Sequence, residues 1–392
     1  MNHKIYSVEY EEKRALARKL ARYYRAQERK NGLSSLDRIV SYVPDEYIFQ
    51  GIRRGFAFSH LGMEPIIECI ARKKPFAVVS GLNPSSPLHL GHKALFDVVL
   101  DLQKLGADVY IPLTNDESYI DGKAETIEVS KRMAEEQIIP DIIAFGFIPE
   151  RTKIYILTET PCLYRFALSI SRLVTYDMLK AVFGKESLIN VGQIFYRGVV
   201  QLAQILLPQL PEFGGPKPTL IPVGIDQHPY ILLARDIAKR IHMIPPSELV
   251  VKFQPSLLDP EAKMSGSKPN TAIYLNDTED DIRKKINRAY TGAVSSLEDH
   301  RKFGAIPEMC PLFQLLQYHY PDDMFVAKVR DEYTSGQMTT SELKIITSDF
   351  IVDLVKKQQT NRNVLSTEKI QCFMMPISQK IQETSMIGGR NI

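Results

Sequence analysis

Phe76-Ala-Val-Val-Ser-Gly-Leu-Asn-Pro-Ser-Ser-Pro-Leu-His-Leu-Gly-His92 is the stretch on which the fold reading turns. Its first four residues are apolar, with two β-branched valines, and read as a buried strand. Ser80, Gly81, Pro84 and Pro87 then break the strand into a loop. From His92 to Leu105 the apolar residues Leu95, Val98, Val99 and Leu102 return at helical spacing, and Gly106 is placed to end the helix. Strand, loop and helix start thus follow within one turn of chain. Such a helix start offers unpaired N–H groups and the positive end of its dipole to an anion. His89 and His92 are three residues apart there and can both donate to a polyphosphate. Gly91 between them carries no Cβ, so a flat base can approach the backbone. Gly81, Asn83, Pro84 and Ser85 are the candidate loop residues of the same nucleotide site.

Outward from this stretch, short apolar runs alternate with helical ones. Val109–Ile111, Lys153–Leu157 and Thr219–Val223 read as strands, whereas Thr126–Phe145 and Ile231–Ile241 read as helices. Strands alternating with crossover helices imply an α/β, Rossmann-like, doubly wound parallel sheet. Gln209–Pro218 is a loop on its proline and glycine content. Beyond Thr291 the alternation ends, and Met324–Tyr333, Thr340–Gln358 and Thr367–Phe373 are predicted helices of an all-helical C-terminal domain. The expected division is an N-terminal helical extension over 1–70, a catalytic domain over 71–290 and the helical domain over 291–392. The extension contains a predicted helix, Glu11–Lys30, with an apolar stripe among many lysines and arginines. Its charges fit either a solvated face or a contact to RNA phosphates.

Composition narrows the class. With 44% hydrophobic and 24% charged residues the 392-residue chain has ordinary globular usage, and a net charge of +3 implies no polyanion partner for the chain as a whole. The four cysteines, Cys69, Cys162, Cys310 and Cys372, lie far apart, which excludes a zinc ribbon or disulfide framework and fits a reducing, cytoplasmic setting. No apolar run reaches the length of a membrane span, and the N-terminal residues do not read as a leader. No metal-ligand spacing is present, so no metal site is predicted.

A second chemically loaded string is Lys263-Met-Ser-Gly-Ser-Lys268, within Phe253–Asn270. Flanking prolines and the Gly-Ser content make it a loop, expected to be mobile. Lys263, with Ser265 and Ser267 as further donors and Met264 beside them, can close over phosphates. Lys263 would stabilise negative charge that develops on a bound phosphate.

Taken together, these two strings resemble the nucleotide-binding motifs of class I aminoacyl-tRNA synthetases. The likeness extends to Glu117 in Pro112-Leu-Thr-Asn-Asp-Glu-Ser-Tyr119, to Gln201, and to Pro222-Val-Gly-Ile-Asp-Gln-His-Pro-Tyr230. It continues through Ser171–Lys180 and Phe183-Gly184 to Asp331–Lys344, which is similar to an anticodon-binding region. Over roughly Arg53–Pro376 the chain resembles the tryptophanyl-tRNA synthetases of the archaeal and eukaryotic type. The resemblance implies activation of L-tryptophan by ATP, with Mg²⁺ carried by the ATP, then transfer to a tryptophan-specific tRNA by a homodimer. It assigns His89, Gly91, His92 and Asp226 to the nucleotide, and Lys263 and its loop serines to the transition state. Glu117 and Gln227 would hold the amino acid's ammonium and carboxylate, while Gln201, Gln204 and Val79 would lie in its pocket.

Three positions depart from the family pattern. Members of this type often carry Tyr at Val79, Gln at Pro112 and Gln near Leu258, and the first two side chains meet the indole N–H. Gln201, Gln204 and Tyr196 are polar groups that could do so here instead. A lysine usual at Gly266 is also absent. Tyrosyl-tRNA synthetases share both motifs and are the nearest competing family. They carry an Asp where Gln204 stands and a Tyr where Val79 stands, and both differences count against tyrosine. A catalytically altered synthetase-like paralogue that binds RNA or nucleotide is disfavoured by two intact motifs. A small-molecule nucleotidyltransferase has no use for the helical C-terminal region.

Overall fold

The computed structural model describes residues 8–40, 44–184, 190–266 and 268–376. Seven strands form one sheet: β1 (Ser34–Ser35), β2 (Ala57–Leu61), β3 (Phe76–Val79), β4 (Ala107–Leu113), β5 (Thr152–Ile156), β6 (Thr219–Val223) and β7 (Ser247–Val251). Their spatial order is β1-β2-β7-β6-β3-β4-β5. The five strands from β7 to β5 are parallel, whereas β2 joins β7, and β1 joins β2, antiparallel. β3 has all four residues buried, as a central strand covered on both faces requires.

Strand order locates the crevice. From β3 the chain moves one way to β4 and β5, then returns to the opposite side of β3 as β6 and β7. The loops leaving the carboxyl ends of β3 and β6 therefore diverge, and a crevice opens between them. The helices that serve it are α1 (Val8–Lys30), α2 (Leu90–Lys104), α3 (Asn115–Ile120), α4 (Gln201–Leu206) and α5 (His228–Arg240). Among the helices that follow are α6 (Glu279–Arg288), α7 (Pro311–His319), α8 (Asp323–Thr334) and α9 (Thr340–Asn363).

Phe76–Val79 and Thr219–Val223 are strands with the predicted bounds, and α2 ends before Gly106, whose φ is +106°. Thr126–Phe145 is helical but interrupted by a wide π turn at Ala134–Ile138, just before Pro140, which has no N–H to donate. Two expectations change. Residues 1–70, predicted as a helical extension, also supply β1 and β2 to the sheet. The region after Thr291, predicted as all helix, returns a short extended segment: the Ile154 N–H donates to the Phe373 carbonyl at 2.8 Å and Met375 N–H to the Ile154 carbonyl at 2.9 Å. That segment covers the otherwise open edge of β5. The helices after Thr291 share their core with the sheet, since Leu312, Phe313, Ile351 and Val355 belong to the same buried cluster as Phe76, Val78 and Ile111.

Candidate active site

His89 caps α2 in an extended conformation, and His92 lies one turn on. Their rings stack with centroids 3.8 Å apart and planes at 27°. Two imidazolium cations at that distance would repel, and burial removes the water that would screen them. Burial first, then the charges of His92 and Lys263, pull His89 down to about 2, and burial with Lys263 pulls His92 down to about 4. Both rings are therefore neutral near pH 7. His92 Nδ1 accepts the His89 backbone N–H at 3.2 Å, so the neutral ring carries its proton on Nε2 and is a donor there. The helix start is less open than the sequence implied: the Leu90 N–H is taken by the Ile273 carbonyl at 3.0 Å. The Gly91 N–H forms no bond among the described residues.

The β3–α2 loop is tightly drawn against β4. A Cβ at Gly81 would lie 2.3 Å from the Pro112 carbonyl oxygen, so only glycine fits. Asn83 Oδ1 accepts a short hydrogen bond from the Ser118 hydroxyl of α3. Pro84 is buried and Ser85 exposed. Ser80 Oγ, Asn83 Nδ2 and His89 Nδ1 are buried without a partner among the described residues. Orphaned polar groups cost about 1–3 kcal/mol each, and here three gather in one loop.

Far apart in sequence, the histidine string and the lysine string interlock. Met264 is buried, and its Cβ is 3.4 Å from where a Gly91 Cβ would stand. A Cβ at Gly266 would meet Ser86 Oγ at 2.1 Å. This contact gives a steric reason for glycine where the family pattern has lysine. The Gly266 carbonyl accepts from the Tyr274 hydroxyl at 3.0 Å, and Tyr274 lies edge-on to His89 with centroids 6.1 Å apart. Lys263 Nζ is 3.3 Å from Asp226 Oδ2, at the end of β6, and 4.7 Å from the centroid of the Phe253 ring. Lys263 and Asp226 are half exposed, so the pair is weak and easily exchanged. Phe253 packs so close to Gly224 that a Cβ there would lie 2.2 Å from its ring. Nothing in the sequence signals Phe253, and Ser86 enters the sequence reading only as part of the Pro84-Ser-Ser loop. Ser265 is half-buried, and Ser267 lies outside the described residues.

A second group of polar side chains comes from α3, α4 and the loop after β6. Glu117, on α3, accepts from the Thr114 hydroxyl at 2.8 Å; burial raises its carboxyl and that bond partly opposes the rise. Asp116, which the motif likeness passes over in favour of its neighbour, is buried, raised by burial, and accepts from Tyr164 at 2.7 Å. The polar quartet Thr114–Glu117 at a strand end was signal enough to find it. Gln201 Nε2, on α4, donates to Gln227 Oε1 at 3.3 Å and ties α4 to the loop after β6. Gln204, one turn on, donates to the Tyr196 hydroxyl at 3.4 Å; both are buried. Burial, and next the Glu117 charge, push the Tyr196 phenol well above its ordinary range. Val79 belongs to the buried cluster that contains Tyr155, Tyr196 and Val200. Pro112 pairs with Tyr155 across β4 and β5, and the Tyr155 hydroxyl is buried without a partner among the described residues. Leu258 is 44% exposed, so that departure lies at the surface and not in the buried cluster.

A doubly wound sheet with this histidine pair at its switch point, and a lysine loop interlocked with it, defines a class I nucleotide-activating fold. Residues 71–356 match the family described as tRNA synthetases class I (W and Y). The chain belongs to that family. It is 36% identical to the tryptophan–tRNA ligase of Methanocaldococcus jannaschii over 84% of this chain and 90% of that protein. The crystal structure of tryptophanyl-tRNA synthetase from Aeropyrum pernix superposes with a TM-score of 0.81 at 29% identity, covering 89% of this chain and 95% of that one. The tryptophan-bound enzyme from Encephalitozoon cuniculi superposes at 0.76 with 28% identity, covering 90% and 99%.

Proposed function

We propose that this protein ligates L-tryptophan to its cognate tRNA through an enzyme-bound tryptophanyl-adenylate. The observation that carries the chemistry is the interlock of Gly91 with Met264 and of Ser86 with Gly266, beside Lys263 and Asp226. ATP enters with its Mg²⁺. Neutral His92 offers an Nε2–H and Gly91 a backbone N–H as donors to phosphate. A tryptophan carboxylate oxygen attacks the α-phosphorus, the bond to the bridging oxygen breaks, and pyrophosphate leaves with the electron pair. Lys263 leaves Asp226 for the developing charge, at little cost because the pair is exposed. No protein nucleophile is required, since positioning and electrostatics suffice. Glu117 and Gln227 hold the ammonium and carboxylate ends. A hydroxyl of the tRNA's terminal ribose then attacks the carbonyl and releases AMP.

Tryptophan over tyrosine rests on the named relatives and on Gln204, which has no charge to offer a phenol. To Gln201, Gln204, Tyr196 and the Tyr155 hydroxyl, which has no partner among the described residues, we assign the reading of the indole N–H. Homodimerisation is supported by exposed apolar side chains on two helices in contact, Tyr119 of α3 and Val191 and Phe195 of the helix Val191–Phe195. The four cysteines are unpaired thiols, and among the described residues no helix is long and apolar enough to cross a membrane; a cytoplasmic setting accords with the unpaired thiols. The test is ATP–pyrophosphate exchange with each of the twenty amino acids, without tRNA. Exchange with tryptophan alone is expected. Exchange with tyrosine, or with none, overturns the assignment.

A further inference from the structure

α1 carries its charges in an order that solvation alone does not favour. Its 23 residues hold eight cations against four acids, so the helix is +4 within a chain whose net charge is +3. All five arginines, Arg14, Arg18, Arg22, Arg25 and Arg29, recur at spacings of four and three residues and so share one face. The lysines lie elsewhere on the helix. Arg18, Arg22, Arg25 and Arg29 are exposed and form no ion pair among the described residues; Arg14 meets Glu11 at 3.4 Å. Like charges three or four residues apart destabilise a helix by about 0.2–0.5 kcal/mol per pair. A merely solvated face relieves this by mixing signs. This face repeats the repulsion along its length, which is an arrangement that an external polyanion would stabilise.

The opposite face holds α1 in place. Lys13 donates to the Thr291 carbonyl at 3.1 Å and makes a shorter bond to Ala293; Glu9 accepts from the Ser295 N–H at 3.0 Å. Lys19 pairs with Glu261 at 2.7 Å, two residues before Lys263, and Tyr24 lies edge-on to Phe58 with centroids 5.2 Å apart. The same face roofs a cavity of about 760 Å³ that reaches Asp226 and Lys263. A rigid rod about 22 Å long from Arg14 to Arg29 is thus fixed beside the mouth of the active site with its guanidinium edge outward. Guanidinium forks match phosphate oxygens, and lysines do so less well.

We propose that the arginine face of α1 is a docking surface for the phosphate backbone of the tRNA substrate. This rests on the reading of the protein as a tRNA ligase but concerns a surface outside its active site. The test replaces Arg18, Arg22, Arg25 and Arg29 together by Gln, a good helix former, in the full chain, with the fourfold Arg→Lys variant beside it. Tryptophan-dependent ATP–pyrophosphate exchange, tRNA affinity by filter binding, and its salt dependence are measured on each. For the Gln variant we expect unchanged exchange, tRNA affinity at least 10-fold weaker, and a log–log salt slope shallower by roughly 3, since each lost phosphate contact removes about 0.7–0.9. The Lys variant should recover most of the affinity. Wild-type affinity and slope in the Gln variant would overturn the proposal. So would exchange falling in step with tRNA binding, because the face would then serve the fold. So would intact tRNA binding with lost binding to anionic phospholipid vesicles. Wild-type protein that exchanges no amino acid would sink the ligase reading instead, while the tRNA affinities would still report on the arginines.

Discussion

Lys263 is held by an exposed carboxylate and an aromatic ring, 3.3 Å and 4.7 Å away, both of which it leaves at small cost. Lys263→Ala should therefore lower the exchange rate by roughly 10²- to 10³-fold, as loss of one transition-state donor does. Tryptophan binding by equilibrium dialysis should stay within about 2-fold. Near wild-type exchange would remove Lys263 from the chemistry. Gly266→Ala sets a Cβ against Ser86 and should reduce kcat/KM for ATP by roughly 10-fold through misplacement of the loop. Ser86→Gly in the same chain removes the colliding atoms and should restore most of it; no recovery would mean the contact is incidental. The histidine pair makes a pH prediction. Both folded values, about 2 and about 4, lie below the ordinary histidine value of 6.5. Depressed values mean that the unfolded chain binds these protons more tightly, so this stability is complete above pH 6.5 and is lost as pH falls towards 4. The melting temperature should drop over that window and drop less in His92→Gln, while the exchange profile shows no histidine inflection between pH 5.5 and 8.

Among the elements, α2 and the loop before it were legible because β3, its glycines and prolines, and the 3.6-residue apolar spacing all act locally. β7 was not. Ser-Glu-Leu-Val-Val carries Glu248 at a fully buried position, and a buried carboxylate breaks the apolar pattern on which strand reading depends. Its justification is tertiary: His228 Nδ1, from the start of α5, sits 2.7 Å from Glu248 Oε2. β2 and the edge segment Phe373–Met375 were likewise invisible, being set by which neighbour they pair with. α9 opens on a box that sequence does show, with Thr339 and Glu342 capping each other's backbone N–H groups. Thr339→Ala should cost about 1 kcal/mol in urea denaturation with exchange at 25 °C unchanged, since α9 packs chiefly on α6, α7 and Ile139–Ala144. An unchanged midpoint would mean that tertiary packing alone sets the helix start.

For the molecule as a whole, α9 of the helical C-terminal part and the helical segment Ile139–Ala144 are joined through a charged contact. Arg362 of α9 meets Asp141 at 3.1 Å, where Asp141 is 3% exposed. Burial pushes the Asp141 carboxyl up to about 6, against the pull of Arg362. A raised folded value means that the folded state holds the proton more tightly, so the contribution is present below the usual 3.8 and lost as pH rises through 6. Above that pH the buried charge costs up to about 3 kcal/mol. Asp141→Asn should thus gain stability over wild type as pH goes from 4 to 7.5, by thermal melting at each pH. A difference independent of pH would show that Asp141 is ionised throughout.

What sequence alone determined is what local chemistry encodes: a strand running into a Gly- and Pro-broken loop, two histidines at a helix start, and a lysine in a loop bounded by prolines. Those patterns were enough for the class I fold. Only the tertiary structure decided that Ser86 meets Gly266, that Phe253 lies beneath Lys263, that Gln201 reaches Gln227, and that the Leu90 N–H is spent on Ile273. Each of these joins atoms from segments distant in the chain. Their energies depend on distance in space, which no periodicity along a sequence records.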